Sequence, residues 1–283
     1  MPEVEYTPEF VERGYNNRAA VPDYPRWFER YAEFSIGARA SPGTKVDLRY
    51  GPGPKETLDL FLPAEAARGT FLFLHGGYWR ALDKSDFSFV ATPFVAAGYA
   101  VAVANYDLCP QVSIATIVEE SAHAVAWLAL EGDSHGAHSG RIVVGGHSAG
   151  GHLAAMMLTI DWMASDLARD PIVGAVSLSG VHDLDAMLHF SANADLKLDQ
   201  GEAARLSPVR LTPRSRKPLV LAVGADETPE FIRQTRLLWD AWPDNRPAGE
   251  RGPILVRDRH HFNVVVDYAD PGSALTRATL ALF

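Results

Sequence analysis

The chain has 283 residues, 47% hydrophobic and 22% charged, enough length and apolar content to bury a large core in a soluble globular protein. Its 35 acidic against 26 basic side chains give a formal charge of −9, and the absence of any lysine or arginine run argues against nucleic acid as a partner. No apolar stretch approaches the ~18 residues of a membrane span, "MPEVEYTPEF" lacks the basic-then-apolar order of a secretory signal, and a single cysteine, Cys109, cannot form an internal disulfide, so a cytoplasmic protein with no membrane partner is expected.

In chain order, an aromatic N-terminal region ("VPDYPRWFERYAEF") comes first. Two polar–apolar alternating runs, "TKVDLRYG" and "KETLDLFL", then flank the turn-forming "GPGPK" and predict a hairpin. Short apolar runs follow: "TFLFLHGG", "AVAVANY", "RIVVGGH", "IVGAVSLSG", "PLVLAVGA" and "GPILVRD". They lack polar alternation, as strands covered on both faces do. Helices are predicted between them over 85–97, 113–130, 149–160 and 229–241. With no repeat and no linker, residues 1–283 read as one α/β domain: a mostly parallel central sheet with helices on both faces, entered through an antiparallel hairpin.

The first of these strands ends in "FLHGGYW", residues 73–79. Backbone without side chains can approach a reacting oxygen closely, and one N–H aimed at a tetrahedral intermediate is worth ~3–4 kcal/mol in the transition state. The N–H groups of Gly77, Tyr78 and Ala149 are therefore the candidates for an oxyanion hole, and His75 reads as a structural residue of the loop. His123, in an alanine-rich helical run, reads as a packed side chain. His135 and His138, in "DSHGAHSG", read as residues of a solvated loop, because no cysteine or carboxylate cluster accompanies them as metal ligands. Neither a metal nor an organic cofactor is expected.

Residues 142–157, "IVVGGHSAGGHLAAMM", set Ser148 between a strand-like and a helix-like run, inside the GxSxG pattern of Gly146, Ser148 and Gly150. A serine on a tight strand-to-helix turn needs small neighbours where the chains cross, and the helix N-terminus beside it favours developing negative charge. His147 adjoins the serine and is expected to point away from it; His152 lies a turn along the helix. The chain order serine, acid, histidine puts the acid after "PLVLAVGA", where Asp226 and Glu227 compete. It puts the base in "DRHHFNVV", where His260 and His261 compete. Pattern alone separates neither pair.

With these segments in order, residues 15–268 resemble the α/β-hydrolase superfamily and, within it, the arylformamidase (kynurenine formamidase-like) branch of serine hydrolases. The marks are "HGGYW", "NYDLCP", "GHSAGGHL", "SGVHDL", "VGADETPEF" and "HHFNVV"; the aromatic Tyr78–Trp79 in the oxyanion loop separates this branch from lipase-like esterases. The resemblance implies Glu227 as the acid, two positions before Pro229, and His261 as the base, immediately before Phe262. Animal formamidases look to carry aspartate at the acid position, so glutamate departs from them.

It further implies hydrolysis of a small acyl (formyl) amide or ester of the N-formylkynurenine type through an acyl-enzyme on Ser148. A short-acyl carboxylesterase is the alternative, and a non-catalytic binding protein is disfavoured by the complete triad. The partner is then a small-molecule acyl substrate, and a homodimer is compatible with it. Tyr78 and Trp79 are the expected substrate-binding side chains. Phe262 and Tyr24, Trp27 and Phe28 of the N-terminal segment (about 1–40) are further walls of the mouth, and Arg80 reads as a surface residue.

Overall fold

The turn "GPGPK" joins β1 (Lys45–Arg49) to β2 (Thr57–Phe61), which pair antiparallel. The remaining strands are β3 (Thr70–Leu74), β4 (Ala100–Ala104), β5 (Ile142–His147), β6 (Ile172–Leu178), β7 (Leu219–Gly224) and β8 (Ile254–Val256). They form one sheet in the order β1-β2-β4-β3-β5-β6-β7-β8, parallel from β4 onward, with β2 antiparallel to β4. The computed structural model describes residues 5–164, 167 and 169–283, so the first four residues of the N-terminal segment lie outside it.

Every residue of β3, β4, β5 and β7 is buried, which is why those runs show no polar alternation. Successive side chains of β3 enter opposite layers. Leu72 and Leu74 join a core with Leu153, Phe231 and Tyr15, whereas Phe71 and Phe73 join a second core with Phe94, Tyr268 and Tyr31.

Ten α-helices lie among the described residues. The first three are α1 (Pro8–Tyr15), α2 (Asn17–Ala20) and α3 (Pro25–Arg39). Next come α4 (Ala91–Ala96), α5 (Ile114–His135) and α6 (Ala149–Met157), then α7 (Asn193–Leu196), α8 (Gln200–Arg205), α9 (Pro229–Ala241) and α10 (Ala274–Leu280). The span 229–241 is realised as α9, and α6 stops three residues short of the expected end. Helix α5 runs further than expected, from the Ser113 cap to Gly136 in a left-handed conformation. The helix expected over 85–97 is instead a 3₁₀ segment, Lys84–Val90, followed by α4. Pro93 has no N–H to give to residue 89, so an α-helix begun at 85 would lack that bond, whereas in the first turn of α4 none is needed.

Two histidine expectations are corrected. His123 is not packed in a core: its side chain is half exposed on α5, and Nδ1–H donates to the buried carboxylate of Glu56 at 2.7 Å. His135 is the last residue of α5, with its ring 4.9 Å from that of Trp127, and only His138 lies in the loop before β5.

The three N-terminal helices were not foreseen beyond their aromatic content. Thr7 and Asn16 cap α1 and α2 by accepting N–H groups of the first turn, and Pro8 and Pro25 occupy helix starts where a missing N–H costs nothing. Arg39 of α3 then ties the segment to the sheet through Asp59, beside buried Lys84. Lys84 donates to Asp59 at 2.6 Å and to Asp47 at 2.7 Å, and Arg39 donates to the other oxygen of Asp59. Among the described residues, no helix is long and apolar enough to cross a membrane.

Candidate active site

Ser148 stands between the last residue of β5 and the first of α6, at φ 57° and ψ −116°, a conformation that is strained for a side-chain-bearing residue. The glycines around it relieve the crossing. A Cβ on Gly150 would come within 1.9 Å of the Leu74 carbonyl oxygen, and one on Gly146 within 2.2 Å of the Gly150 carbonyl oxygen. The turn is thereby pressed against the end of β3.

Two further loops converge on this serine. The one after β8 brings His261, whose Nε2 lies 3.0 Å from Ser148 Oγ. The one after β7 brings Glu227, whose Oε2 accepts from His261 Nδ1 at 2.7 Å. The other oxygen of Glu227 accepts from the Ser179 hydroxyl and, at 2.9 Å, from the Gly224 N–H. All three principal side chains are buried. A hydroxyl, an imidazole and a carboxylate in this sequence can draw the proton from the hydroxyl while the carboxylate stabilises the resulting imidazolium.

The competing residues lie elsewhere. His260 packs its ring edge-on to Trp27, and its Nδ1 accepts from the N–H groups of Phe262 and Asn263. Asp226 is exposed on the turn, where its backbone N–H donates to the Arg259 carbonyl. His147 does not point away as expected: its ring lies 4.8 Å from that of His261 and lines the same cavity. Burial and the neighbouring imidazole hold His147 well below the ordinary histidine range, so it stays neutral beside the serine.

Above the serine, Gly77, Tyr78 and Trp79 run at φ 115°, 51° and 55°, a left-handed stretch that folds the loop sharply after β3. Only glycine fits at 77, where a Cβ would come within 2.1 Å of the Ala81 carbonyl oxygen. His75 fixes the base of this loop, stacked at 4.3 Å on Tyr106 with Nδ1–H donating to the Gly76 carbonyl at 2.7 Å. Ala149 begins α6, so its N–H has no acceptor within the helix.

A cavity of about 660 Å³ is lined by Ser148, His261, Gly77 and Tyr78 together with aromatic side chains that include Phe28 and Phe190. Phe262 and Tyr31 also line it, the Tyr31 hydroxyl donating to the Phe262 carbonyl. Trp79 is a correction: it is wholly buried in the core, edge-on to His152 at 5.2 Å, and is not a wall of the cavity. Its left-handed backbone turns the side chain inward while Tyr78 remains at the cavity, its hydroxyl donating to the Tyr15 carbonyl at 2.5 Å. Tyr24 and Trp27 stand behind Phe28, Phe262 and His260 rather than on the cavity surface. Arg80 does reach the rim, paired with Asp195.

Sequence reading missed several of these residues. Asn16 and Asn17 come from the N-terminal helices, and Phe190, Ser191 and Asp195 from the excursion between β6 and β7. No local spacing announces them. Ser179 was visible in "SGVHDL" but carried no role until its hydroxyl was found on Glu227. Among the described residues, no group of three or more histidine, cysteine or acidic side chains is arranged to hold a metal ion.

Three fully buried histidines set an acid limit on the folded state. Burial lowers His75 and His152 to about 4 and His182 to about 3. In the unfolded chain each returns to about 6.5 and binds a proton below that pH. Their stabilising effect is complete above pH 6.5 and declines as pH falls toward 4, because the unfolded state then takes up more protons than the folded one. Between pH 7.5 and pH 5 each is expected to remove about 2 kcal/mol. Urea unfolding at the two pH values checks this; a midpoint that does not fall at pH 5 would contradict it.

The BD-FAE family model matches residues 58–229. The kynurenine formamidases of Salmo salar and Danio rerio are 31% and 30% identical to this chain, in each case over 87% of it and 84% of the relative. A solved structure from Silicibacter sp. tm1040, provisionally named a thioesterase, is 34% identical with a TM-score of 0.82, covering 94% of this chain and 97% of that one. Esterase B of Lactobacillus rhamnosis shares the fold at 17% identity and a TM-score of 0.65, over 94% of this chain and 96% of its own.

Proposed function

We propose, from the premise that this chain belongs to the BD-FAE family and to the kynurenine formamidase branch of the α/β-hydrolases, that it cleaves aryl formamides of the N-formylkynurenine type. It is a hydrolase. In our reading Ser148 is the nucleophile, His261 the general base and then acid, and Glu227 the group that orients the imidazole and stabilises its cation.

The observation that carries this reading is the hydrogen-bonded chain Ser148–His261–Glu227, with separations of 3.0 and 2.7 Å, opening on an aromatic-lined cavity. Ser148 Oγ attacks the formyl carbon as His261 Nε2 takes its proton. The carbonyl oxygen becomes an oxyanion opposite the N–H groups of Gly77, Tyr78 and Ala149. On collapse the C–N bond breaks, Nε2–H protonates the departing arylamine, and a formyl ester remains on Ser148. Water, deprotonated by His261, attacks that ester; the bond between the formyl carbon and Oγ breaks, His261 returns the proton to Oγ, and formate is released.

A formyl group is the smallest acyl group, so the aromatic walls are left to hold the leaving ring. The formal charge of −9 supports a small-molecule substrate over nucleic acid, and the buried, unpaired Cys109 supports a cytoplasmic location.

The test is the ratio of kcat/KM for N-formylkynurenine to that for p-nitrophenyl acetate. A formamide value above the ester value is expected, although esters are intrinsically easier to hydrolyse. A formamide value far below the ester value would replace the formamidase reading with a short-acyl carboxylesterase.

A further inference from the structure

Among the described residues that line the cavity, Asn17 and His147 are the two buried polar side chains with a nitrogen lacking any hydrogen-bond partner. His147 lies against His261, and changing it would disturb the base. Asn17 is independent of that chain of groups. It is the first residue of α2, it is 4% exposed, and its Nδ2 has no acceptor in the protein.

Its backbone is held on several sides. The Val21 N–H donates to the Asn17 carbonyl at 2.9 Å, and Asn16 caps the same helix by accepting from the Ala19 N–H at 3.1 Å. Just before it, the Tyr15 carbonyl accepts from the Tyr78 hydroxyl, and the Gly14 carbonyl accepts from the Thr228 hydroxyl. A buried amide that is so firmly placed yet unpaired is unfavourable on its own account, and the deficit disappears if a bound molecule pairs with it.

We propose that Asn17 is a specificity-determining residue that hydrogen-bonds the leaving group, selecting aryl formamides that carry an acceptor such as a carbonyl on the ring. The proposal rests on the formamidase reading. Beyond its carbonyl a formyl group has only a hydrogen atom, and the carbonyl oxygen is assigned to Gly77, Tyr78 and Ala149. Any further polar contact therefore falls on the leaving amine. Phe28, Phe190 and Phe262 supply apolar walls for a ring but no direction; the Asn17 amide, whose Nδ2 is unpaired where that of the neighbouring Asn16 already donates to Glu12, fixes which substituted ring is accepted.

The test compares formanilide with 2-acetylformanilide in the wild type and in Asn17→Leu, which keeps the number of side-chain heavy atoms and removes the amide. Asn17→Asp, which removes the donor and keeps the shape, serves as a second variant. The preference for the acetylated substrate is expected to fall about 10-fold in both variants, mainly through KM. An unchanged preference, or an equal loss on both substrates, would overturn the proposal. Should no formamide be hydrolysed, the acetate esters of phenol and 2-acetylphenol make the same comparison: a lowered preference keeps Asn17 in its role while the formamidase reading fails, and an unchanged one removes it.

Discussion

Ser148→Ala is expected to lower kcat by about 10⁵- to 10⁶-fold, measured on whichever substrate the wild type turns over best. With the hydroxyl gone, no covalent intermediate can form, and the reaction falls back on water. The N–H groups of Gly77, Tyr78 and Ala149 would still stabilise an oxyanion, so a residual rate above the uncatalysed one is also expected. The substitution deletes one oxygen whose only hydrogen bond among the described residues is to His261, so the thermal midpoint is expected to stay close to that of the wild type. A variant that folds and still hydrolyses at more than a tenth of the wild-type rate would remove Ser148 from the chemistry.

The second large effect separates two neighbouring acids. Glu227→Gln is expected to reduce kcat by about 10³- to 10⁴-fold, the range seen when a triad carboxylate is neutralised without loss of shape. A glutamine NH₂ facing His261 Nδ1 favours the tautomer that leaves Nε2 protonated and unable to accept from the serine. Asp226→Asn is expected to change kcat less than about twofold, because Asp226 is exposed and, among the described residues, its side chain makes no hydrogen bond while its backbone N–H donates to the Arg259 carbonyl. If the Asp226 change is the damaging one, the acid has been misassigned.

The contrast between these two acids also marks where sequence stops being informative. The sheet could be read from buried runs and the serine turn from glycine spacing, because both depend on contacts that recur along the chain at short range. Asp226 and Glu227 differ by one position on one turn. What distinguishes them is seen only in the folded chain: Glu227 is buried and accepts from the Gly224 N–H, the Ser179 hydroxyl and His261, whereas Asp226 is exposed. His260 and His261 posed the same problem, and resemblance to a family, not pattern, distinguished them.

Trp79 shows the opposite failure. A large aromatic beside an oxyanion loop reads as a substrate wall, yet three successive left-handed residues send it into the core. The cavity residues of the N-terminal helices and of the 190–195 stretch were illegible for a simpler reason: their positions relative to Ser148 are set by packing between elements far apart in the chain.

That packing has a bearing on how the enzyme can be altered. The Thr228 hydroxyl, next in sequence to Glu227, is bonded to Gly14, and the Phe262 carbonyl, next to His261, is bonded to Tyr31. Asn17 lies between those two grips. The segment from Gly14 to Tyr31 thus acts as a brace shared by both loops that approach the serine. Widening the mouth for bulkier substrates by trimming this brace would slacken the relay at the same time, so access and turnover in this scaffold cannot be tuned as separate properties.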